Sequence, residues 1–313
     1  MSDAVRRIAD AVLYEGHTLW PYRRSALKNR QRWTFGGVYP ETYARASGDR
    51  SAVQAECLLE GEEPVVEVEV RFLQAVRRQA VRDGEPVDEL DGHLSWDETT
   101  ERVVRVPPGA RATAIAIPAG TDVEAVAGGE LVRSWEPLTG RVTVDVEPLA
   151  RRVHRVRVRV VNDSTGRAEA REEAVPRTFL SAHAVVRALA GELLSAPDPP
   201  ERVREHAASL RTEGLWPVLV GDEDARDTIL AAPIILSDYP QVAPESPGDF
   251  FDGCEIDQLL VLNILGLTDD EKREMRASDP RAREILERTE AMTPEEMLRL
   301  HGVIRDLRPV EGR

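Results

Sequence analysis

Residues 65–72 read VVEVEVRF, and this stretch decides the fold. Val66, Val68, Val70 and Phe72 alternate with Glu67, Glu69 and Arg71. A period of two places the apolar side chains on one face of an extended chain and the charges on the other. The spacing predicts a strand with one face in a core and one in water. The same rhythm recurs at 112–118, at Val142, Val144 and Val146, and at Val156, Val158 and Val160. Turn signals separate these runs: Pro107-Pro108-Gly109, Gly128-Gly129, Thr139-Gly140 and Asn162-Asp163. Short alternating strands joined by such turns predict an antiparallel β-sandwich or distorted barrel.

Residues 178–196 admit a helix by their Ala and Leu content, or strands by Val185-Val186 and the Ala190-Gly191 break. The reading leans to strands that feed the same sheet. Residues 215–220 and 228–236 read as buried strands, and 201–210 as a helix. At the N-terminus, Val5, Ile8, Ala9 and Val12 fall on one helical face, with Asp3 as the expected cap and Gly16 as the stop. Towards the C-terminus, Asp252 with Glu255, Thr268 with Glu271, and Thr293 with Glu296 resemble capping boxes. They predict helices at about 254–266, 268–290 and 293–306, the second broken near Asp279-Pro280. Helices and strands come in blocks rather than alternating, so the class is α+β. Three regions follow: an N-terminal helix and basic segment (1–50), a β-rich domain (51–236), and an acidic loop with helices (237–313).

The chain has 313 residues, 42% hydrophobic and 31% charged, with a formal net charge of -15. That acidity argues against nucleic acid as a partner, because phosphate binding needs a basic stripe. No apolar run near 20 residues occurs, so no membrane span is expected, and no signal peptide is read at the N-terminus. Cys57 and Cys254 do not make a disulfide framework. The expected location is the cytoplasm.

Against this acidity, residues 16–40 hold five cations and no acid: Arg23, Arg24, Lys28, Arg30 and Arg32. Trp20, Tyr22, Trp33, Phe35 and Tyr39 are interleaved with them. The window from Asp227 to Glu271 is the mirror image, with ten acids and no Lys, Arg or His. Three readings compete. Arg23, Arg24 and Arg30 can pair internally with Asp249, Asp252 or Asp257. Asp249, Asp252, Glu255 and Asp257 can form a cation site, although their spacing is not that of an EF-hand. Or Trp20, Tyr22, Arg23, Arg24, Lys28 and Arg30 can face outward as a docking surface, being rich in the residue types that dominate interface hot spots.

No P-loop, H-E-x-x-H or nucleophile-elbow motif is present. Ser181 and His183 could share one strand face, but Ser-x-His arises often by chance. His17 could titrate within the basic segment. Cys57, Cys254 and His17 or His183 could meet at a metal only if the fold joins them.

Tyr14-Glu15-Gly16, Pro21-Tyr22-Arg23, Ser25, Lys28-Asn29-Arg30, Phe35-Gly36, Glu56-Cys57-Leu58, Ser237-Asp238-Tyr239-Pro240 and the runs 216–221 and 243–257 form a further pattern. Together they resemble an uncharacterised family of bacterial proteins often encoded beside nickel-iron hydrogenase genes. Cys254 departs from the Thr expected there, which weakens any thiol chemistry. The resemblance implies an accessory or assembly role in hydrogenase biogenesis and supplies no catalytic residue or cofactor. The expected activity is therefore non-catalytic binding of a protein partner, such as a hydrogenase subunit or maturation factor; a homo-oligomer is also compatible. The alternative is a metal-assisted enzyme that acts on an anionic small molecule between the basic and acidic segments.

Overall fold

A computed structural model describes residues 2–241, 257–293 and 296. Its organising element is β1 (Ala52–Arg82), 31 residues of nearly continuous strand that contain the alternating stretch. β1 is long enough to pair with five other strands, all antiparallel. Residues 52–60 pair with β10 (Val153–Asn162), and 59–73 with β11 (Leu180–Leu193) on the other edge. Residues 68–78 pair with β5 (Trp96–Val106), 77–81 with β8 (Gly129–Trp135), and 80–82 with β2 (Glu85–Val87). A small hairpin, β3 (Glu89–Leu90) and β4 (His93–Leu94), stands apart.

The sheet grows outward through β9 (Leu138–Ala150) and β6 (Ala112–Ile117) on one side. On the other it grows through β13 (Thr228–Ala232) and β12 (Trp216–Leu219). β7 (Gly120–Val126) pairs with β8 as an outer hairpin. The register of β1 slips between Glu60 and Val66. There Gly61 meets Gly191 so closely that a Cβ on Gly61 would lie 3.1 Å from the Gly191 Cα. This bulged crossing turns the two halves of β1 towards each other. Val53, Ala55 and Leu59 therefore share one core with Val68, Val70 and Phe72 and with residues of β9, β10, β11 and β13. The antiparallel, sandwich-like α+β architecture is the one the alternation predicts, and 180–193 is strand.

Helix α1 (Asp3–Tyr14) covers the outer face of this sheet. Val5, Ala9 and Val12 pack on Val185, Val218 and Leu230. The cap is Ser2, whose side chain accepts from Val5 N, rather than the expected Asp3, which is already inside the first turn. Short helices follow at α2 (Glu41–Ser47), α3 (Arg171–Ala174) and α4 (Arg204–Ala208).

The C-terminal helices are α5 (Asp257–Leu265), α6 (Asp269–Ser278) and α7 (Pro280–Glu290). Thr268 and Glu271 form the expected capping box. The predicted break falls at Asp279-Pro280, where Asp279 ends α6 and caps α7. Thr293 and Glu296 exchange cap hydrogen bonds of 2.8 and 3.3 Å. The helix expected beyond Glu296, and the cap expected at Asp252 and Glu255, lie outside the described residues.

Arg78 ties these helices to the sheet. It is buried on β1, and its guanidinium donates to the carbonyls of Leu94, Ala277 and Ser278, at 2.7 to 3.1 Å. The last two are carbonyls at the C-terminus of α6, where a cation is favoured. Arg78 also pairs with Glu98.

Candidate binding cleft

The basic segment is held down by charge and shape together. Tyr22 is fully buried and completes the helical core with Leu260, Ile264, Met275 and Ile285; Trp20 packs beside it. Arg23 pairs with Glu271 at 3.0 Å, and Arg24 makes a two-pronged pair with Asp88 at 2.7 and 2.9 Å. Ser25 donates through its backbone N and its hydroxyl to Glu274, at 2.8 and 2.9 Å. Buried Asn29 closes the loop by bonding both Leu19 N and Leu19 O, each at 2.8 Å, and Arg23 O.

These contacts change the expected roles. Tyr22 cannot anchor a partner, because the helical core encloses it. Arg23 and Arg24 do pair inside the chain, but with Glu271 and Asp88 instead of Asp249, Asp252 or Asp257. Lys28 is exposed on the short 3-10 helix Leu27–Gln31. The Arg30 side chain lies outside the described residues. So do the proposed cation ligands Asp249, Asp252 and Glu255, and the Asp257 side chain. No group of three or more His, Cys, Asp or Glu able to hold a metal occurs among the described residues.

His17 is the knot of the segment. It is 3% exposed, and its Nε2 lies 3.1 Å from Asp279 Oδ2. Its Nδ1 lies 3.4 Å from Trp33 Nε1 and 3.2 Å from Thr99 Oγ1. Trp33 can only donate, so Nδ1 is the acceptor and Nε2 carries the proton towards Asp279. Burial pushes the Asp279 carboxyl up. His17 and the Arg281 N–H outweigh it and hold the group below the usual carboxylate range.

Past this knot the segment opens onto a cleft of about 900 Å³, a volume within the range of ligand sites. Its floor is sheet. Arg77 on β1 stands between Asp97 on β5 and Ser134 on β8, its direct neighbours in register. Its walls carry three of the chain's five tryptophans, Trp33, Trp96 and Trp135. Arg32 is sandwiched between two of them, its guanidinium carbon 4.1 Å from the Trp33 ring centre and 3.8 Å from that of Trp96. Burial lowers this guanidinium to about 10, although Asp279 and Asp97 pull the other way. Arg171 reaches in from α3 and donates to the carbonyls of Arg32 and Trp33, at 2.8 and 2.7 Å.

Trp135 owes its position to Gly120. A Cβ on Gly120 would come within 2.3 Å of the indole, so only glycine lets the ring lie on the β7 backbone. The indole N–H donates to Pro118 O at 3.1 Å. Sequence reading singled out Trp33 but passed over Arg77, Trp96, Trp135 and Arg171. The available signal was Trp recurring beside charged strand residues. Nothing in the spacing said that these positions converge.

The remaining candidates are structural. His183 is buried on the outer face of β11 with Nδ1 3.2 Å from Ser181 O, and burial lowers it to about 3. A buried imidazole that stays neutral makes a poor proton carrier at neutral pH. Ser181 has a φ of 50°, and its hydroxyl and His183 Nε2 are both buried without a hydrogen-bond partner among the described residues, so the two side chains do not pair as nucleophile and base. Cys57 is buried in the sheet core, its thiol pushed up by burial to about 12. Cys254 lies outside the described residues.

No family model matches the chain. No curated protein matches it either. No helix among the described residues is long and apolar enough to cross a membrane.

Proposed function

We propose that this protein is a non-catalytic accessory protein that receives part of a partner polypeptide in the Arg-Trp cleft. The carrying observation is the cleft itself: an open, sheet-floored groove walled by three indoles and a stacked guanidinium. Trp and Arg are the side chains that contribute most where protein surfaces meet. The resemblance to proteins encoded beside nickel-iron hydrogenase genes supports a hydrogenase subunit or maturation factor as that partner, in the cytoplasm. The docking face differs from the one first expected. Arg24 remains at its rim, whereas Trp20, Tyr22 and Arg23 hold the protein together. The metal-assisted alternative draws on carboxylates outside the described residues, and no observation on the described ones favours it.

A photo-crosslinking side chain in place of Trp135, compared with one in place of Trp216 on β12, tests this in the native host. The expected result is a discrete adduct with one partner from position 135 and none from 216. Equal or absent labelling at the two positions would count against the proposal.

A further inference from the structure

The charges in the cleft do not cancel. Arg24 is neutralised by Asp88 and Glu136 by Arg177. That leaves Arg32, Arg77 and Arg171 against Asp97 and Glu172. Arg32 donates to the carbonyls of His17 and Asp97, and Arg171 to the carbonyls of Arg32 and Trp33 and to the Tyr39 hydroxyl; neither guanidinium has a carboxylate within 4 Å among the described residues. Arg77 is exposed and has neither an ion pair nor a side-chain hydrogen bond among them. In a chain of net charge -15 this is a locally cationic groove. Screening over about 8 Å at physiological salt lets the local charge, rather than the distant acids, decide what enters.

We infer that the cleft is built for an acidic polypeptide segment, with Arg77 as the carboxylate contact and Trp135 as the platform beside it. This rests on the proposed docking role and names the chemistry of the docked segment. Asp97, opposite Arg77 on β5, is not within 4 Å of its guanidinium and repels an incoming carboxylate. The carboxylate is thereby directed to the β8 side of Arg77, where the Ser134 hydroxyl and the Trp135 indole stand. A guanidinium fork supplies two donors to one carboxylate, and the flat indole covers the peptide backbone next to it. A nucleotide fits less well. The floor offers one free guanidinium, whereas a polyphosphate carries several negative charges past Asp97 and Glu172.

The test uses the purified full-length chain and fluorescence anisotropy with a labelled synthetic peptide of Glu and Tyr. The probe is compared with its Gln-for-Glu counterpart and challenged with ATP. The expected result is binding of the acidic peptide and at least about tenfold weaker binding of the neutral one. Arg77→Glu weakens the acidic peptide by a similar factor, Asp97→Asn tightens it, and Arg152→Glu on the far β9–β10 turn changes nothing. Equal affinity for the two peptides, or an unchanged Arg77→Glu, would overturn the inference. So would ATP binding that depends on Arg77 and excludes the peptide. Should crosslinking at position 135 capture a partner while acidic peptides fail to bind, the docking role stands and the acidic specificity falls.

Discussion

His17 donates its Nε2 proton to Asp279 Oδ2 at 3.1 Å, and the other oxygen of the same carboxylate accepts from Arg281 N at 2.8 Å to start α7. One carboxylate thus joins the N-terminal loop to a C-terminal helix. The partner of His17 on its other side, Trp33, is a wall of the cleft. This imidazole therefore links a wall of the cleft directly to the start of α7.

Asp279→Ala removes a helix cap and strands a buried donor. The lost cap costs about 0.5 to 2 kcal/mol and the stranded donor about 1 to 3 kcal/mol, so a total of about 1.5 to 5 kcal/mol is expected in urea unfolding. Asp279→Asn keeps the cap oxygen and costs less. The carboxyl sits below its unfolded value, so the unfolded chain takes up the proton first. Stability is present above the ordinary carboxylate range and is lost as pH falls through it. The Asn variant removes that portion of the acid sensitivity, which urea midpoints taken below about pH 4 will show.

Arg78→Ala leaves Glu98 paired with Arg133 at 2.9 Å but strands the carbonyls of Leu94, Ala277 and Ser278. A loss of about 3 kcal/mol or more is expected. Hydrogen exchange should show it first in α6 and α7, with the amides of β1 and β10 still protected. Uniform loss across the sheet would contradict the role of Arg78 as the tie between the two parts.

His183 gives a second acid dependence at a higher pH. Its folded value is lowered to about 3, so below about 6.5 the unfolded chain binds a proton that the native state refuses. Stability then falls by up to roughly 1.4 kcal/mol per pH unit as acid is added, and levels off near the folded value. His183→Leu keeps the site apolar and flattens the slope between about pH 6.5 and 4.5. An unchanged slope would place the titration elsewhere.

Cys57 should not react. With its thiol near 12 and its side chain in the sheet core, the thiolate is scarce at pH 8 and has no path to reagent. In a Cys254→Ser background, Ellman's reagent is expected to find no thiol in the native protein and one after denaturation. A fast native reaction would mean that the β1–β10 pairing opens.

Gly120→Ala forces the Trp135 indole off the β7 backbone. Partner crosslinking through a probe at Ser134 should fall several-fold, while urea stability changes by about 1 to 2 kcal/mol at most, because β7, which carries Gly120, is an exposed outer strand.

The alternation at Val66, Val68, Val70 and Phe72 determined by itself that the middle of the chain is half-buried antiparallel sheet, because a period of two has no other way to bury one face. Thr268 with Glu271, and Pro280 after Asp279, likewise located two helix starts, since capping is settled within one turn. The basic segment shows where this legibility stops. Its composition demanded partners, and the structure supplies Glu271, Glu274, Asp88 and Asp279, far along the chain from Arg23, Arg24 and His17. Long-range pairing is selected by how the sheet and helices pack, and charge alone leaves many carboxylates equivalent. The cleft is further still from sequence. Arg77, Asp97 and Ser134 become neighbours only through the strand register. Trp33, Trp96 and Trp135 meet only once β1 has brought β5 and β8 to the loop that precedes it.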